Sequence, residues 1–117
     1  GIASRSKILS VVSPASYAIM DARAVTALNA VQAIAQLENR VHFPYLPSRN
    51  LLIGKLSRQR GEFPTGTYHG YNSLLRAISQ RLNESGIQHQ LADLEMTLFS
   101  QALILLELQE TQPPPFV

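Results

Sequence analysis

Lys7 and Asp21 are the two residues of this 117-residue chain whose types and spacing most readily suggest chemistry. A lysine at the edge of a dry cleft can act as a nucleophile, and a nearby carboxylate can manage its proton or stabilise a developing cation. The two residues fall on consecutive predicted helices joined by a short connection, so one cleft could contain both. A surface ion pair and two independent residues are also compatible with this spacing, which leaves all three interpretations open.

Asp21 begins the most apolar stretch of the chain, which runs to Glu38. Alanine, valine, leucine and isoleucine dominate this stretch, and Arg23 is its only basic residue. A helix that is apolar almost all round is a buried one, so the pattern predicts a central helix over 21–38. Asp21 is suited to the N-cap, where its carboxylate accepts hydrogen bonds from the first turn. The same carboxylate can be a cap, a catalytic group, or both.

Helical spacing of apolar residues marks four further elements. Prolines and glycines separate these elements, because the residue before a proline leaves the helical region and glycine favours helix ends. No strand-like alternation of polar and apolar residues is found. The sequence therefore predicts an all-α fold, a compact bundle of about five helices around the buried helix 21–38. The four further predicted helices are 3–12, 48–60, 68–84 and 91–108.

The length suits one helical domain with a single core, which we place at 1–110, followed by a proline-rich tail at 111–117. Consecutive prolines in the tail favour an extended chain. No apolar run is long enough to span a bilayer and no signal-peptide pattern is present, so we expect no membrane partner. The sequence contains no cysteine, which excludes thiol chemistry and fits a cytoplasmic protein.

The three histidines, His42, His69 and His89, lie far apart in the sequence. None of the short spacings typical of a metal site links them, and thiolate ligands are lacking. We therefore expect surface or loop histidines, no metal site and no cofactor.

The charges are distributed unevenly along the chain. All ten basic residues lie in 1–81, whereas 82–117 carries five acidic residues and no lysine or arginine. This division indicates either a basic face for a polyanion or internal pairing between the two halves. Both interpretations stay open.

The densest basic cluster falls on the predicted helix 48–60 and its exit, where it contains Arg49, Lys55, Arg58 and Arg60. Contact with DNA phosphates is its functional interpretation, and such contact would be independent of base sequence and strongly dependent on salt. An ordinary solvated helix face is the alternative.

Two aromatic residues, Tyr68 and Tyr71, lie beside His69 at the start of the predicted helix 68–84. Aromatic rings in such a position can stack on nucleic-acid bases. Aromatic residues at a helix start also anchor the helix to a core, and the sequence leaves both interpretations open.

Two motifs near the N-terminus carry a family resemblance: Ser6-Lys-Ile-Leu-Ser-Val-Val-Ser-Pro14 and Tyr17-Ala-Ile-Met-Asp-Ala-Arg-Ala-Val25. They resemble motifs of the helix-hairpin-helix DNA glycosylases, nearest to bacterial proteins described as 8-oxoguanine DNA glycosylase-like. The stretches 68–79 and 91–99 are similar to the closing helices of the same proteins. The resemblance covers most of 1–108 and corresponds to the C-terminal half of such an enzyme.

The resemblance implies a role for each matched residue. Lys7 would attack the sugar C1′ and form a Schiff base, and Asp21 would stabilise cleavage of the glycosidic bond. The backbone at 1–3 would be the remnant of the hairpin that grips a DNA phosphate, although the full hairpin motif is absent. The target base would be flipped out of the duplex before the reaction. Phe99 stands where the bacterial relatives usually have tryptophan.

The sequence thus predicts a DNA-binding helical domain that resembles a base-excision DNA glycosylase, and it leaves open whether the catalytic activity is retained. The alternative is a non-catalytic helical interaction protein that forms a homodimer or binds a partner chain. Wide apolar coverage of the last predicted helix favours this alternative, since such coverage suits an interface between chains as well as an internal one. The apolar residues beyond its main stripe are Leu103, Ile104, Leu106 and Leu108.

Overall fold

The computed structural model describes residues 1–44, 46, 48–50 and 66–111. Regular structure in these residues is helical throughout, so the fold is all-α, with a radius of gyration of 14.0 Å. That radius is close to the roughly 13 Å expected of a compact chain of this length. None of the helices in the described residues is long and apolar enough to cross a membrane. The helices are α1 (Ile2–Val12), α2 (Ala22–Ile34), α3 (Tyr68–Glu84) and α4 (Leu91–Thr111).

The described residues therefore contain four helices rather than about five. The predicted helix 48–60 lies largely outside the described residues, and so do Lys55, Arg58 and Arg60. Within its described part, Ser48 Oγ accepts a hydrogen bond from the Asn50 backbone N–H at 3.1 Å. The residues that follow Thr111, where the proline-rich tail was expected, are also outside the described residues.

The prediction that the buried helix continues to residue 38 is wrong, because α2 ends at Ile34. Gln36 has a φ of 54°, a left-handed conformation that stops the helix. The backbone N–H of Gln36 bonds the Ala33 carbonyl at 3.0 Å, and that of Leu37 bonds the Gln32 carbonyl at 3.3 Å. This pair of bonds is the Schellman arrangement, here without the glycine that usually signals it.

The core lies chiefly between α2 and α4, and α3 packs on α4 over a smaller contact. Small side chains on α2, among them Ala24, Ala27 and Ala30, are fully buried. On α4 the buried residues include Leu98 and Ala102, which repeat at helical spacing. Burial of a leucine side chain contributes about 2 kcal/mol, so this stripe is a principal source of stability.

Helix α1 does not bury the apolar face that its sequence suggests. The exposed fractions of Ile8, Val11 and Val12 are 66%, 82% and 76%. The buried residue of α1 is Ser6, which has an exposed fraction of 0%. The buried contact of this helix is thus a polar one, made by Ser6, while Ile2 at its start packs partly buried against the core.

The chain after α2 is held by two amide side chains of that helix. Asn29 exchanges two hydrogen bonds with the backbone of Phe43, at 3.0 and 2.9 Å, as strand residues do. Gln32 exchanges two with the backbone of Val41, at 2.9 and 2.8 Å. These amides satisfy buried backbone groups that have no partner in a sheet. Phe43 is thereby fixed in the core, where it is fully buried.

Candidate functional site at the N-terminus of α2

The segment before Asp21 is held in place by side chains of α3. The Ala18 N–H donates to the Asn72 side-chain oxygen at 2.8 Å, and the Ala18 carbonyl accepts from the Tyr68 hydroxyl at 2.9 Å. The Ile19 carbonyl accepts from the Tyr71 hydroxyl at 2.6 Å. These side-chain hydrogen bonds to the backbone fix the segment and so position the residue that follows it.

Helix α1 attaches to the same segment through one serine. Ser6 Oγ accepts from the Met20 N–H at 2.9 Å and donates to the Ala3 carbonyl at 2.8 Å. Lys7, the next residue, is exposed on α1. It does not line the cleft described below, as far as the described residues define that cleft, so its pairing with Asp21 stays a prediction.

Asp21 is the N-cap of α2, as the sequence predicts. Its backbone is extended, with φ −124° and ψ 176°, and its Oδ1 accepts from the Ala24 N–H at 2.8 Å. The Asp21 carbonyl accepts from the Val25 N–H at 3.0 Å, which begins the helical hydrogen bonds. The cap uses one carboxylate oxygen, and the half-buried side chain also faces a cleft.

This cleft, called the α2 cleft below, has a volume of about 210 Å³. That is less than the roughly 300 Å³ typical of the smallest ligand pockets, so it suits contact with part of a larger molecule. The Arg23 guanidinium carbon lies 5.2 Å from the centre of the Phe99 ring, a cation–π contact between α2 and α4. The described residues that line the cleft are Asp21, Ala22, Arg23, Ser48, Arg49, Asn50 and Phe99.

Glu95 is the functional candidate that the sequence interpretation missed. It lies on α4 one turn before Phe99, and its exposed fraction is 4%. Burial, and then the negative charge of Asp21, raise the pKa of the Glu95 carboxyl from 4.5 to about 7. The sequence does contain a signal for this burial. Glu95 lies four residues after Leu91 and three before Leu98, a spacing that places it on the inner stripe of the helix. A carboxyl with this pKa exchanges its proton near neutral pH.

Tyr71 interacts electrostatically with both Glu95 and Asp21. Burial raises the pKa of its hydroxyl, and the negative charges of Glu95 and Asp21 raise it further. The hydroxyl therefore stays neutral and remains a hydrogen-bond donor to Ile19. Tyr71 is fully buried, with its ring edge-on to Phe43 at 5.8 Å, so the core-anchor interpretation of this tyrosine is confirmed.

Of the predicted phosphate contacts, Arg49 alone falls in the described residues, where it is exposed and lines the α2 cleft. The described residues contain no group of three or more histidines or carboxylates that could hold a metal ion. No protein-family model, no curated protein and no solved structure matches this chain. The arrangement at the α2 cleft offers two guanidinium groups, a partly exposed aromatic ring and the carboxylate of Asp21.

Proposed function

We propose that this chain is a DNA-binding helical domain that contacts DNA at the α2 cleft. The observation that carries the proposal is the presence of Arg23, Arg49 and Phe99 around one cleft. Guanidinium groups suit phosphate oxygens, which they contact through two parallel hydrogen bonds. A partly exposed aromatic ring beside them suits a nucleobase, because every base has a face on which to stack.

The two arginines have to supply most of the attraction at this cleft. The N-terminus of a helix carries a partial positive charge, but the Asp21 carboxylate occupies the cap of α2 and opposes an incoming phosphate. Lys55, Arg58 and Arg60 follow Arg49 in the sequence and are proposed as further phosphate contacts. The bundle around α2, with a further helix within 48–60, and a cytoplasmic location are parts of the same proposal.

Equilibrium binding to fluorescein-labelled DNA tests the proposal. Duplex and single-stranded oligonucleotides would be titrated between about 50 and 200 mM salt, and we expect the affinity to fall steeply over this range. A plot of log affinity against log salt concentration has a negative slope. Each of Arg23→Ala and Arg49→Ala should reduce the magnitude of this slope by about one. Arg81→Ala is the matched control, since it removes the same charge from an exposed position outside the described lining of the cleft.

Equal effects of all three substitutions would refute a specific role of the cleft. The absence of salt-dependent binding to either DNA form would refute the proposal as a whole.

Base excision is the activity that the resemblance to DNA glycosylases implies. The half-buried carboxylate of Asp21 supports it, because a fixed carboxylate in a cleft can stabilise a developing cation. Duplexes with 8-oxoguanine or uracil would be incubated with the protein and then reduced with borohydride. A covalent adduct that Lys7→Ala abolishes and Asp21→Asn weakens would establish the activity, and no adduct would leave a binding domain.

Exposed apolar residues favour a second candidate function, a helical interaction protein. Ile8, Val11 and Val12 form one stripe on α1, and Ile104 and Leu108 are about half exposed on α4. Apolar stripes of this kind are typical of interfaces between chains. This candidate predicts association that hardly depends on salt, whereas DNA binding depends on it strongly.

Sedimentation at increasing protein concentration tests self-association. Val11→Glu should reduce it, whereas Ser4→Glu adds the same charge at another exposed position of α1 and should not. A protein that stays monomeric at all concentrations, with or without the substitutions, would exclude a homodimer.

A further inference from the structure

A second and larger groove lies along α3, away from the residues that line the α2 cleft. Its volume is about 780 Å³, within the range of roughly 300 to 1,000 Å³ that small-molecule sites occupy. Three elements form it: the connection between α1 and α2, one face of α3, and the start of α4. The described residues that line this α3 groove are Pro14, Ala15, Arg76, Ser79, Gln80, Asn83, Glu84, Gln90 and Leu91.

Ser79, which lines this groove, is paired with His89, the residue before the lining residue Gln90. Ser79 Oγ lies 2.8 Å from His89 Nε2, and His89 Nδ1 lies 2.9 Å from the carbonyl oxygen of Ile87. A carbonyl oxygen can only accept a hydrogen bond, so Nδ1 carries a proton and donates a hydrogen bond to the Ile87 carbonyl. In the neutral ring Nε2 is then the acceptor, and the Ser79 hydroxyl donates to it. The tautomer is therefore the one that a general base requires.

The backbone of His89, as well as its ring, is held against α3. Its backbone N–H donates to Asn83 Oδ1 at 3.2 Å. Gly86, with a φ of 89°, reverses the chain after α3 and directs it back along the helix. Ser79 and Asn83 are four residues apart and so share one face of α3, the face that lines the groove.

We propose that Ser79 and His89 are the nucleophile and the general base of an esterase site in the α3 groove. Ser79 Oγ attacks the ester carbonyl carbon and transfers its proton to His89 Nε2. The tetrahedral intermediate then loses the alcohol, as the C–O bond breaks and the proton on Nε2 passes to the alkoxide. Water, deprotonated by Nε2, attacks the acyl-serine, and collapse releases the carboxylic acid and restores the Ser79 hydroxyl.

The neighbouring side chains define the substrate class. Asn83 uses its side-chain oxygen for His89, which leaves its amide hydrogens to donate to the oxyanion. Pro14, Ala15 and Leu91 give the groove an apolar wall. Arg76 brings a positive charge one turn before Ser79, and it is held by the Ser16 carbonyl at 2.6 Å.

These features suit a short-chain carboxylic ester, with a preference for esters that carry an anionic group within reach of Arg76. Glu84, at the other end of the lining, accepts from the Gln80 amide at 3.2 Å and would repel an anion placed there. The anionic group is therefore expected on the Arg76 side of the reacting carbonyl.

Covalent labelling with a fluorophosphonate probe tests the nucleophile. The probe should modify Ser79, identified by peptide mass spectrometry, and Ser79→Ala should abolish the label. His89→Ala should slow labelling and the hydrolysis of p-nitrophenyl butyrate by roughly 10²-fold or more, the usual effect of removing a general base. Ser100→Ala is the matched control, because Ser100 is an exposed helical serine whose Oγ donates to the Thr97 carbonyl of its own helix at 3.0 Å. Labelling of Ser79 no faster than labelling of Ser100, or hydrolysis that Ser79→Ala leaves unchanged, would overturn the proposal.

The same hydrogen bonds also stabilise the connection between α3 and α4, so a second variant separates chemistry from folding. Ser79→Cys keeps a group of similar size, and its thiol is unique because the chain has no cysteine. Beside His89 that thiol should react with iodoacetamide faster than the thiol of Ser100→Cys, since an adjacent base favours the thiolate. Equal rates in two folded variants would show that His89 does not act as a base.

Discussion

Glu95 on α4 lies close enough to Asp21 at the N-cap of α2 that the charge of Asp21 raises the pKa of the Glu95 carboxyl. Burial is the larger cause of the shift, because removal from water disfavours the charged form. The Asp21 side chain accepts the capping hydrogen bond of α2, and the Glu95 carboxyl gains or loses a proton near neutral pH.

The stability of the protein should fall as the pH rises through the range in which Glu95 titrates. Its pKa is about 7 in the folded protein against an ordinary value of 4.5, so the folded state binds the proton more tightly. The stabilisation is therefore fully present below the lower value and is lost as the pH approaches the higher one. A shift of this size corresponds to about 3 kcal/mol of unfolding free energy. Urea unfolding at about pH 4 and about pH 8 measures the difference.

Glu95→Gln should remove most of this pH dependence, because glutamine keeps the size of the side chain and does not titrate. Glu107→Gln is the control, since Glu107 is exposed on the same helix. If both variants kept the pH dependence of the original protein, the buried carboxyl of Glu95 would not be its source.

Substitutions of Asp21 should separate its role as a cap from its role as a charge. Asp21→Ala loses the hydrogen bond from the Ala24 N–H and should destabilise the protein by about 1 kcal/mol. Asp21→Asn keeps an oxygen acceptor at the cap and should cost less. Both substitutions remove the negative charge, so both should lower the pKa of Glu95, which carbon-detected NMR titration of its carboxyl can follow. A Glu95 pKa unchanged in both variants would contradict the proposed electrostatic coupling.

Local signals were sufficient to predict much of the helical structure. The range 68–84 matches α3, which has Thr67 as its N-cap and Ser85 as its C-cap. Asp21 was identified as an N-cap because capping depends on residues within one turn of the chain. The ends of these helices follow from local hydrogen bonding, which the residue types near each helix end indicate.

Features that depend on distant parts of the chain could not be predicted in the same way. Glu95 is buried because α4 packs on α2, and a stripe of leucines does not show which acidic residue will face the cap of another helix. Ser6 has its partner, Met20, fourteen residues away. His89 meets Ser79 only because the chain reverses after α3, so a search for short histidine spacings did not find the pair.

Ser6→Ala should loosen the attachment of α1. The substitution leaves the Met20 N–H buried without its acceptor, which costs about 1 to 3 kcal/mol. Hydrogen exchange at the Met20 amide should therefore accelerate. Ser10→Ala is the control, because Ser10 Oγ donates to the Lys7 carbonyl of its own helix. Similar exchange at Met20 in both variants would show that α1 is held by other contacts.

Gly66→Ala should destabilise the protein because Gly66 packs directly on the Phe43 ring. A Cβ atom at position 66 would overlap Cδ1 of that ring, which is fully buried and cannot move away freely. The Gly66 N–H also donates to the His42 carbonyl at 3.0 Å, so the backbone is held near the ring. Overpacking of this kind costs about 1 to 3 kcal/mol.

Gly70→Ala should have the opposite effect on stability, although Gly70 is only four residues from Gly66. Gly70 lies in the first turn of α3, and a Cβ there would meet only Thr67 Oγ1, at an ordinary contact distance of 3.4 Å. Alanine has the higher helix propensity, so the substitution should stabilise the protein by up to about 1 kcal/mol. Thermal unfolding of the two variants should thus shift in opposite directions. A common direction would mean that the contact of Gly66 with Phe43 does not determine the stability of this segment.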